Sequence, residues 1–224
     1  MSESNYRTAG GTDVDRAVKA FRSGEPVLVH DATDREDETD IVYPAAAVGP
    51  EDVTRLRNDA GGLVCVALAA DVADSFDLPF LADALDHPSV ESGNLAYGDR
   101  SSFSLPVNHR DTVTGIPDGE RALTISALGA AAAEPDRTEF AASFRAPGHV
   151  PLLRAADGLL SERRGHTELS IRLALEADRA PATVVCEMLD DDTGEALTRE
   201  AAAAYAWDHG LVQVEGTEIV NSLR

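Results

Sequence analysis

The chain has 224 residues, enough for one large domain or two small ones, and its 43% apolar content is ordinary for a packed core. Forty acidic residues against 19 basic ones give a formal net charge of -21, which argues against the basic face a nucleic-acid binder needs. No apolar run approaches the roughly 20 residues that span a bilayer, and the polar stretch Met1 to Gly11 lacks the apolar core of a signal peptide, so a cytoplasmic protein without a membrane partner is expected.

Helix and strand signals alternate along the chain. Thr12 or Asp13 opens a helix from Asp13 to Ser23, and Gly24 stops it. Pro26 to His30 reads as a strand, and Ile41 to Tyr43 as a short second one. Pro50 opens a helix through Leu56; Gly61-Gly62 then leads into a strand from Leu63 to Leu68. Phe103 to Val107 alternates like a strand, but Pro106 assigns it to an edge or a bulge. Glu120 to Ala133 is helical and is broken by Pro135, while Val150 to Arg154 is strand-like. Thr167 to Ala177 is an amphipathic helix with Leu169, Leu173 and Ala177 at helical spacing. The β-branched run Ala182 to Leu189 reads as a buried strand, and Asp190 to Gly194 as a turn. Thr198 to His209 is a helix closed by Gly210, and Leu211 to Val214 is the last strand. The pattern predicts a mixed sheet packed by helices, in one domain over residues 1–224 with residues 1–11 flexible.

The acidity is spread along the chain rather than gathered in a tail, and Lys19 is the only lysine. One reading is simply an acidic soluble protein; the distribution favours the other, adaptation to molar intracellular salt, where carboxylates keep a surface hydrated and screening removes their repulsion. Cys65 and Cys186 each lie in an apolar run and read as buried thiols of a reducing compartment, not as a disulfide framework.

Five features carry candidate chemistry. In the segment Asp34-Arg35-Glu36-Asp37-Glu38-Thr39-Asp40, an extended backbone would place Asp34, Glu36, Glu38 and Asp40 on one face. Carboxylates gathered there repel one another unless a cation or proton joins them, and hard oxygen ligands suit Mg²⁺, Mn²⁺ or Ca²⁺. The other reading is a solvated acidic loop. Arg163-Arg164-Gly165-His166-Thr167 stands directly before a predicted helix, whose free N–H groups and forked arginine donors suit a phosphate; His166 could ligate a metal beside it. The same residues also read as an ordinary loop with Thr167 as N-cap. His149, in Pro147-Gly148-His149, has a near-neutral reference pKa suited to proton transfer, and it also reads as an ordinary structural histidine. Glu187 follows Val184-Val185-Cys186: it either needs a partner in a buried strand or marks where that strand reaches solvent. Asn108 to Ile116 is a polar loop after a strand.

Taken together and in order, these motifs identify a family resemblance. The chain resembles 3,4-dihydroxy-2-butanone 4-phosphate synthase. The family's Asp-Arg-Glu-Asn-Glu-Gly-Asp segment corresponds to Asp34 to Asp40, with Asp37 for the usual Asn and Thr39 for the usual Gly. Gly62-Leu63-Val64-Cys65-Val66, Thr114-Gly115-Ile116, Pro147-Gly148-His149-Val150, Arg164-Gly165-His166-Thr167-Glu168 and Cys186-Glu187 follow in register. The resemblance spans about Asp13 to Val220, without the cyclohydrolase domain fused on in some relatives. It implies a three-layer α+β fold with a mixed twisted sheet. It also implies conversion of ribulose 5-phosphate to the butanone phosphate and formate in riboflavin biosynthesis, with Mg²⁺ or Mn²⁺. On that resemblance Glu36 and His166 ligate the metal, and His149 and Glu187 are catalytic. Arg35, Glu36, Asp40, Thr114, Arg163, Arg164, Gly165, His166 and Thr167 contact substrate. A homodimer whose active sites draw on both chains is implied as well. Two other classes stand beside this one: a non-catalytic cation-binding protein built on the acidic segment, and a nucleotide- or RNA-binding module of similar sheet architecture.

Overall fold

A computed structural model describes residues 11–32, 35–90 and 98–223; Asp34 and the first ten residues of the expected flexible terminus lie outside the described residues. Helix α1 (Asp13–Ser23) starts where the Thr12 hydroxyl accepts from the Asp15 N–H and Asp15 reaches back to the Thr12 N–H. It ends at Gly24, whose φ of 86° is open to glycine at no steric cost. Strands β1 (Val27–His30) and β2 (Thr39–Pro44) form an antiparallel hairpin. Helix α2 (Pro50–Asn58), with proline in its first turn, precedes β3 (Cys65–Leu68) and two short helices, α3 (Ala70–Ser75) and α4 (Leu81–Ala84). Strand β4 (Phe103–His109), α5 (Asp118–Ala133), α6 (Phe140–Ser143) and the long β5 (Phe144–Arg154) follow. The chain closes with α7 (His166–Glu176), β6 (Ala182–Glu187), α8 (Arg199–His209), β7 (Val212–Glu215) and α9 (Gly216–Ser222).

The strands form one sheet in the order β4-β5-β3-β6-β2-β1-β7. The β1–β7 and β3–β5 pairs are parallel and the other neighbours antiparallel, so the sheet is mixed, as expected. Alternation along the strands feeds two cores. Leu28, Ile41, Tyr43, Val66 and Val184 face Leu56 of α2, Leu128 of α5 and Ala202 of α8. Val27, Val29, Val42, Cys65 and Val185 face Phe21 of α1, Leu173 of α7 and Ile219 of α9. Each fully buried side chain of this size contributes about 1.5–3 kcal/mol relative to exposure, which is why both faces are covered and the molecule has three layers.

Pro106 does lie on an edge strand, beside register shifts in the β4–β5 ladder. The structure departs from the expected boundaries in three ways. First, β5 begins at Phe144, so Pro147-Gly148-His149 is inside a strand and not ahead of one. This is possible because β5 passes so close to β4 that a Cβ on Gly148 would lie 2.0 Å from the Val107 carbonyl carbon. Second, β6 ends at the exposed Glu187 and does not run on to Leu189. Third, α3, α4, α6 and α9 were not anticipated; at four to seven residues they are too short to show a helical period.

Candidate active site

The β1–β2 hairpin delivers the acidic segment around one buried carboxylate. Asp31 accepts from the Glu36 N–H at 3.4 Å, the Glu38 N–H at 3.3 Å and Arg35 Nη1 at 3.3 Å. Its own N–H donates to the Glu38 carbonyl at 3.0 Å. The segment is therefore not extended throughout: β2 begins only at Thr39, and Asp37 has a φ of 58°. Asp tolerates this left-handed conformation nearly as well as Asn, which accounts for Asp37 at a position where the family usually has Asn. Glu36, Glu38 and Asp40 are gathered by a turn wrapped on Asp31, not by strand alternation.

Helix α7 meets this loop with its N-terminus. Gly165 is the N-cap, in extended conformation and without a side-chain cap, so Thr167 lies inside the first turn and is not the cap. A Cβ on Gly165 would come within 2.7 Å of Arg35 Nη1, so glycine is what lets the guanidinium lie against the helix start. His166, Thr167 and Glu168 are all buried. His166 Nδ1 is 3.6 Å from Glu36 Oε2 and 3.4 Å from Asp40 Oδ1. One ligand atom each from Asp31, Glu36 and His166 lies within 4.8 Å of the others.

The electrostatics of this cluster favour a cation. Burial alone would lower the His166 pKa, but Asp40, Glu36 and Asp31 outweigh it and hold it up at about 9. Burial pushes the Asp40 carboxyl up to about 7; His166 opposes that shift, and Glu187, Glu36 and Glu38 add to it. Glu38 is raised for the same reasons, burial first and then Glu187 and Glu36. His166 Nε2 and Asp40 Oδ1 are buried without a hydrogen-bond partner. A strongly negative field, buried polar atoms without partners and a nitrogen-plus-carboxylate donor set fit a divalent cation.

A cleft of about 140 Å³ opens beside this cluster, lined in part by Glu36, Asp40, Ser102, Arg163, His166 and Thr167. Glu187 also lines it, opposite Asp40 in the β2–β6 register and exposed, so it marks the strand end at solvent. Arg163 is held from three sides. Its Nε donates to Asp99 Oδ2 at 3.1 Å, its Nη1 lies 3.5 Å from Glu168 Oε1, and Nη1 also donates to Ser102 Oγ. Arg35 donates to the same Asp99 oxygen. Arg164 is exposed and lines a neighbouring cavity of about 490 Å³, which Arg35, Asp99 and Arg163 share.

Two of the sequence candidates fall in a second cluster, at the β4–β5 edge. His149 is exposed and is not among the residues that line the cleft. The Asn108 side chain fixes it: Oδ1 accepts from the His149 N–H at 2.8 Å, and Nδ2 lies 3.2 Å from His149 Nδ1. Asn108 Nδ2 also donates to the Thr114 carbonyl at 3.2 Å. An amide NH₂ facing Nδ1 makes that nitrogen an acceptor and leaves the imidazole proton on Nε2. Thr114 and Gly115 donate their N–H groups to Glu120 Oε2, which pins the loop to the start of α5. Asp31 and Asp99 are not among the sequence candidates. Asn108 opens the segment that the sequence marks as a polar loop, but it is buried in β4.

Comparison with known proteins identifies the family and the fold. The family model described as 3,4-dihydroxy-2-butanone 4-phosphate synthase matches residues 15–222. A protein of that name from Methanosarcina mazei is 50% identical over 223 residues, covering 94% of this chain and 90% of its own length. One from Archaeoglobus fulgidus is 47% identical over 224 residues, covering 95% and 94%. Among solved structures, the Candida albicans synthase has a TM-score of 0.80 at 28% identity, covering 95% of this chain and 98% of its own. A synthase in complex with two magnesium ions has a TM-score of 0.79 at 28% identity, covering 93% and 95%. This chain belongs to the 3,4-dihydroxy-2-butanone 4-phosphate synthase family, lyases of riboflavin biosynthesis.

Proposed function

We propose that the protein converts ribulose 5-phosphate to 3,4-dihydroxy-2-butanone 4-phosphate and formate, with Mg²⁺ or Mn²⁺ held by Glu36 and His166. The observation that carries this reading is the meeting of the Asp31–Glu36–His166 cluster with Arg163 and the α7 N-terminus around one cleft. A cation site next to an anion site is what a phosphorylated sugar with vicinal oxygens requires. When bound, the divalent cation supplies positive charge to substrate oxygens as they become negative. Asp31 orients this end of the site by holding Arg35 and the loop backbone. Arg163, Arg35 and the N-terminal end of α7 bind the phosphate, with Arg164, Gly165 and Thr167 beside them. Asp40, buried against His166, orients that imidazole and contacts substrate.

Enolisation, loss of water, skeletal rearrangement and formate release all move protons. Glu187, exposed at the cleft, takes and returns protons at its carboxylate oxygens. His149 supplies a second relay at Nε2, the atom left outward by Asn108. The placement of His149 and Thr114 away from the cleft supports a homodimer, with the partner's edge cluster completing each site. Val113 at 83% exposure and Ile116 at 58% flank Thr114 and give that edge an apolar surface suited to a partner. Localisation in the cytoplasm is part of the same reading; among the described residues no helix is long and apolar enough to cross a membrane.

The test is direct. Purified protein given ribulose 5-phosphate and Mg²⁺ releases formate, stops with chelator, and resumes when Mg²⁺ or Mn²⁺ is restored. Undiminished formate release from chelated, metal-free protein removes the metal assignment, and no formate under any condition removes the reaction.

A further inference from the structure

Asp99 is a carboxylate placed where an anionic ligand is expected. Its Oδ2 alone accepts from two guanidiniums, Arg35 and Arg163 Nε, the latter at 3.1 Å. Two forked donors converging on one anionic oxygen are a phosphate-binding arrangement. The side chain is partly solvated, at 28% exposure. Glu168, the other carboxylate on Arg163, is different: it has no exposed side-chain surface, and it accepts from the Ala156 N–H at 3.0 Å. Glu168 is therefore a fixed support for Arg163. Asp99 sits at the rim, where water can take over its charge when it leaves.

Burial by itself works against the Asp99 carboxylate, but hydrogen bonds from Arg35 and Arg163 outweigh that and hold its pKa below the usual range. It is an anion at neutral pH. Arg163 forms a shared wall between the 140 Å³ cleft and the 490 Å³ cavity that Asp99 lines. Moving Asp99 away therefore removes the acceptor that Arg163 Nε and Arg35 Nη2 share at the wall of the larger cavity, while Arg35 Nη1 keeps Asp31 at 3.3 Å and Glu36 at 3.5 Å.

We propose that Asp99 is an internal competitor for the phosphate group: its Oδ2 occupies donors of Arg35 and Arg163 in the free enzyme and is displaced when a phosphate monoester binds. The assignment rests on the reading of Arg163 as phosphate anchor. It gives Asp99 a specificity role. A ligand must bring at least as much charge and as many acceptor oxygens as the carboxylate it displaces, so sugar phosphates enter and neutral sugars do not. The cost of displacement is carried in the affinity for every anion.

The experiment measures the affinity of inorganic phosphate by calorimetry, at one fixed Mg²⁺ and KCl concentration, for wild type, Asp99→Asn, Asp99→Ala and Arg163→Ala, each checked for native circular dichroism. Losing the competitor lowers the phosphate Kd by about tenfold in both Asp99 variants, the scale of one charge-assisted hydrogen bond. In parallel, the KM for ribulose 5-phosphate falls while kcat is unchanged or falls through slower release. Weaker or unchanged phosphate binding in both Asp99 variants, with binding lost in Arg163→Ala, overturns the competitor role alone. That result would make Asp99 a residue that merely orients the arginines. Wild-type phosphate binding in Arg163→Ala overturns the anchor reading and the competitor role with it.

Discussion

Asp40 and Glu187 stand opposite each other in the β2–β6 register, yet one is buried against His166 and the other is exposed at the cleft. Burial is the first cause of the raised Asp40 pKa, while the role proposed for Glu187 relies on its exposure at the cleft. Glu187→Gln keeps the shape and removes the base, so it should cost at least about a hundredfold in kcat with little change in substrate affinity. His149→Asn should behave alike. The two together test where His149 acts. If each site takes Glu187 from one chain and His149 from its partner, subunit exchange between equal amounts of the two inactive variants restores about a quarter of wild-type activity, because half the dimers are mixed and each holds one intact site. No recovery after verified exchange would place both groups in the same chain's site. At this scale the sequence was legible wherever a motif held a charged or polar residue next to a turn or helix start, as with Glu36, Arg163 and His166. It was silent on Asp99, whose partners Arg35 and Arg163 are distant along the chain, and on Asp31, whose partners Arg35, Glu36 and Glu38 are near but meet it only once the turn closes; Asn108 stands in a segment that reads as a loop, and its partner His149 is distant as well.

Elements with strong end signals were read close to their observed bounds. Helix α1 has its capping box and its left-handed glycine, and α8 has Thr198 and Gly210. The β4–β5 arm was read poorly because its pairing depends on backbone proximity at Gly148, which no local pattern reveals. A similar close approach holds α5 in position. A Cβ on Gly129 would lie 2.3 Å from the Ala46 backbone nitrogen and 2.6 Å from its Cα, whereas a Cβ on Gly119, in the first turn of the same helix, meets nothing within 4 Å. The two glycines therefore have opposite expectations. Gly119→Ala should stabilise by about 0.4–1 kcal/mol through the entropy of the unfolded chain. Gly129→Ala gains the same entropy but must push α5 off the Ala45–Ala46 backbone, an overpacking cost of about 1–3 kcal/mol, so it should destabilise. Thermal unfolding midpoints of the two variants against wild type decide this. A Gly129→Ala midpoint at or above that of Gly119→Ala would falsify the tight α5 contact.

The whole molecule carries a formal net charge of -21 on one chain, with Lys19 as its only lysine, so arginines supply nearly all the compensation. Much of that arginine is committed locally. Arg57 and Arg121 both pair with Asp118, Arg154 pairs with Asp74, and Arg35 and Arg163 share Asp99. Such pairs use arginines one by one, and the net excess of negative charge is left for the solvent to screen. At about 0.1 M salt the Debye length is roughly 10 Å, long enough for neighbouring carboxylates to repel; near 1 M it shrinks to roughly 3 Å. Self-repulsion opposes the compact state, and assembly of two such chains adds to it. Folding should accordingly depend on salt, with an unfolding midpoint that climbs steadily from low to molar KCl at fixed pH, protein concentration and Mg²⁺. A surface ion pair responds in the other direction, since screening weakens it, so the sign of the slope reports which effect dominates. Replacing KCl with a non-ionic osmolyte separates screening from general exclusion at the surface. If screening is what the acidic surface requires, the osmolyte does not reproduce the rise. A midpoint that stays flat or falls across the KCl series would show that local pairing already offsets the charge, and that the acidic composition is not an adaptation to salt.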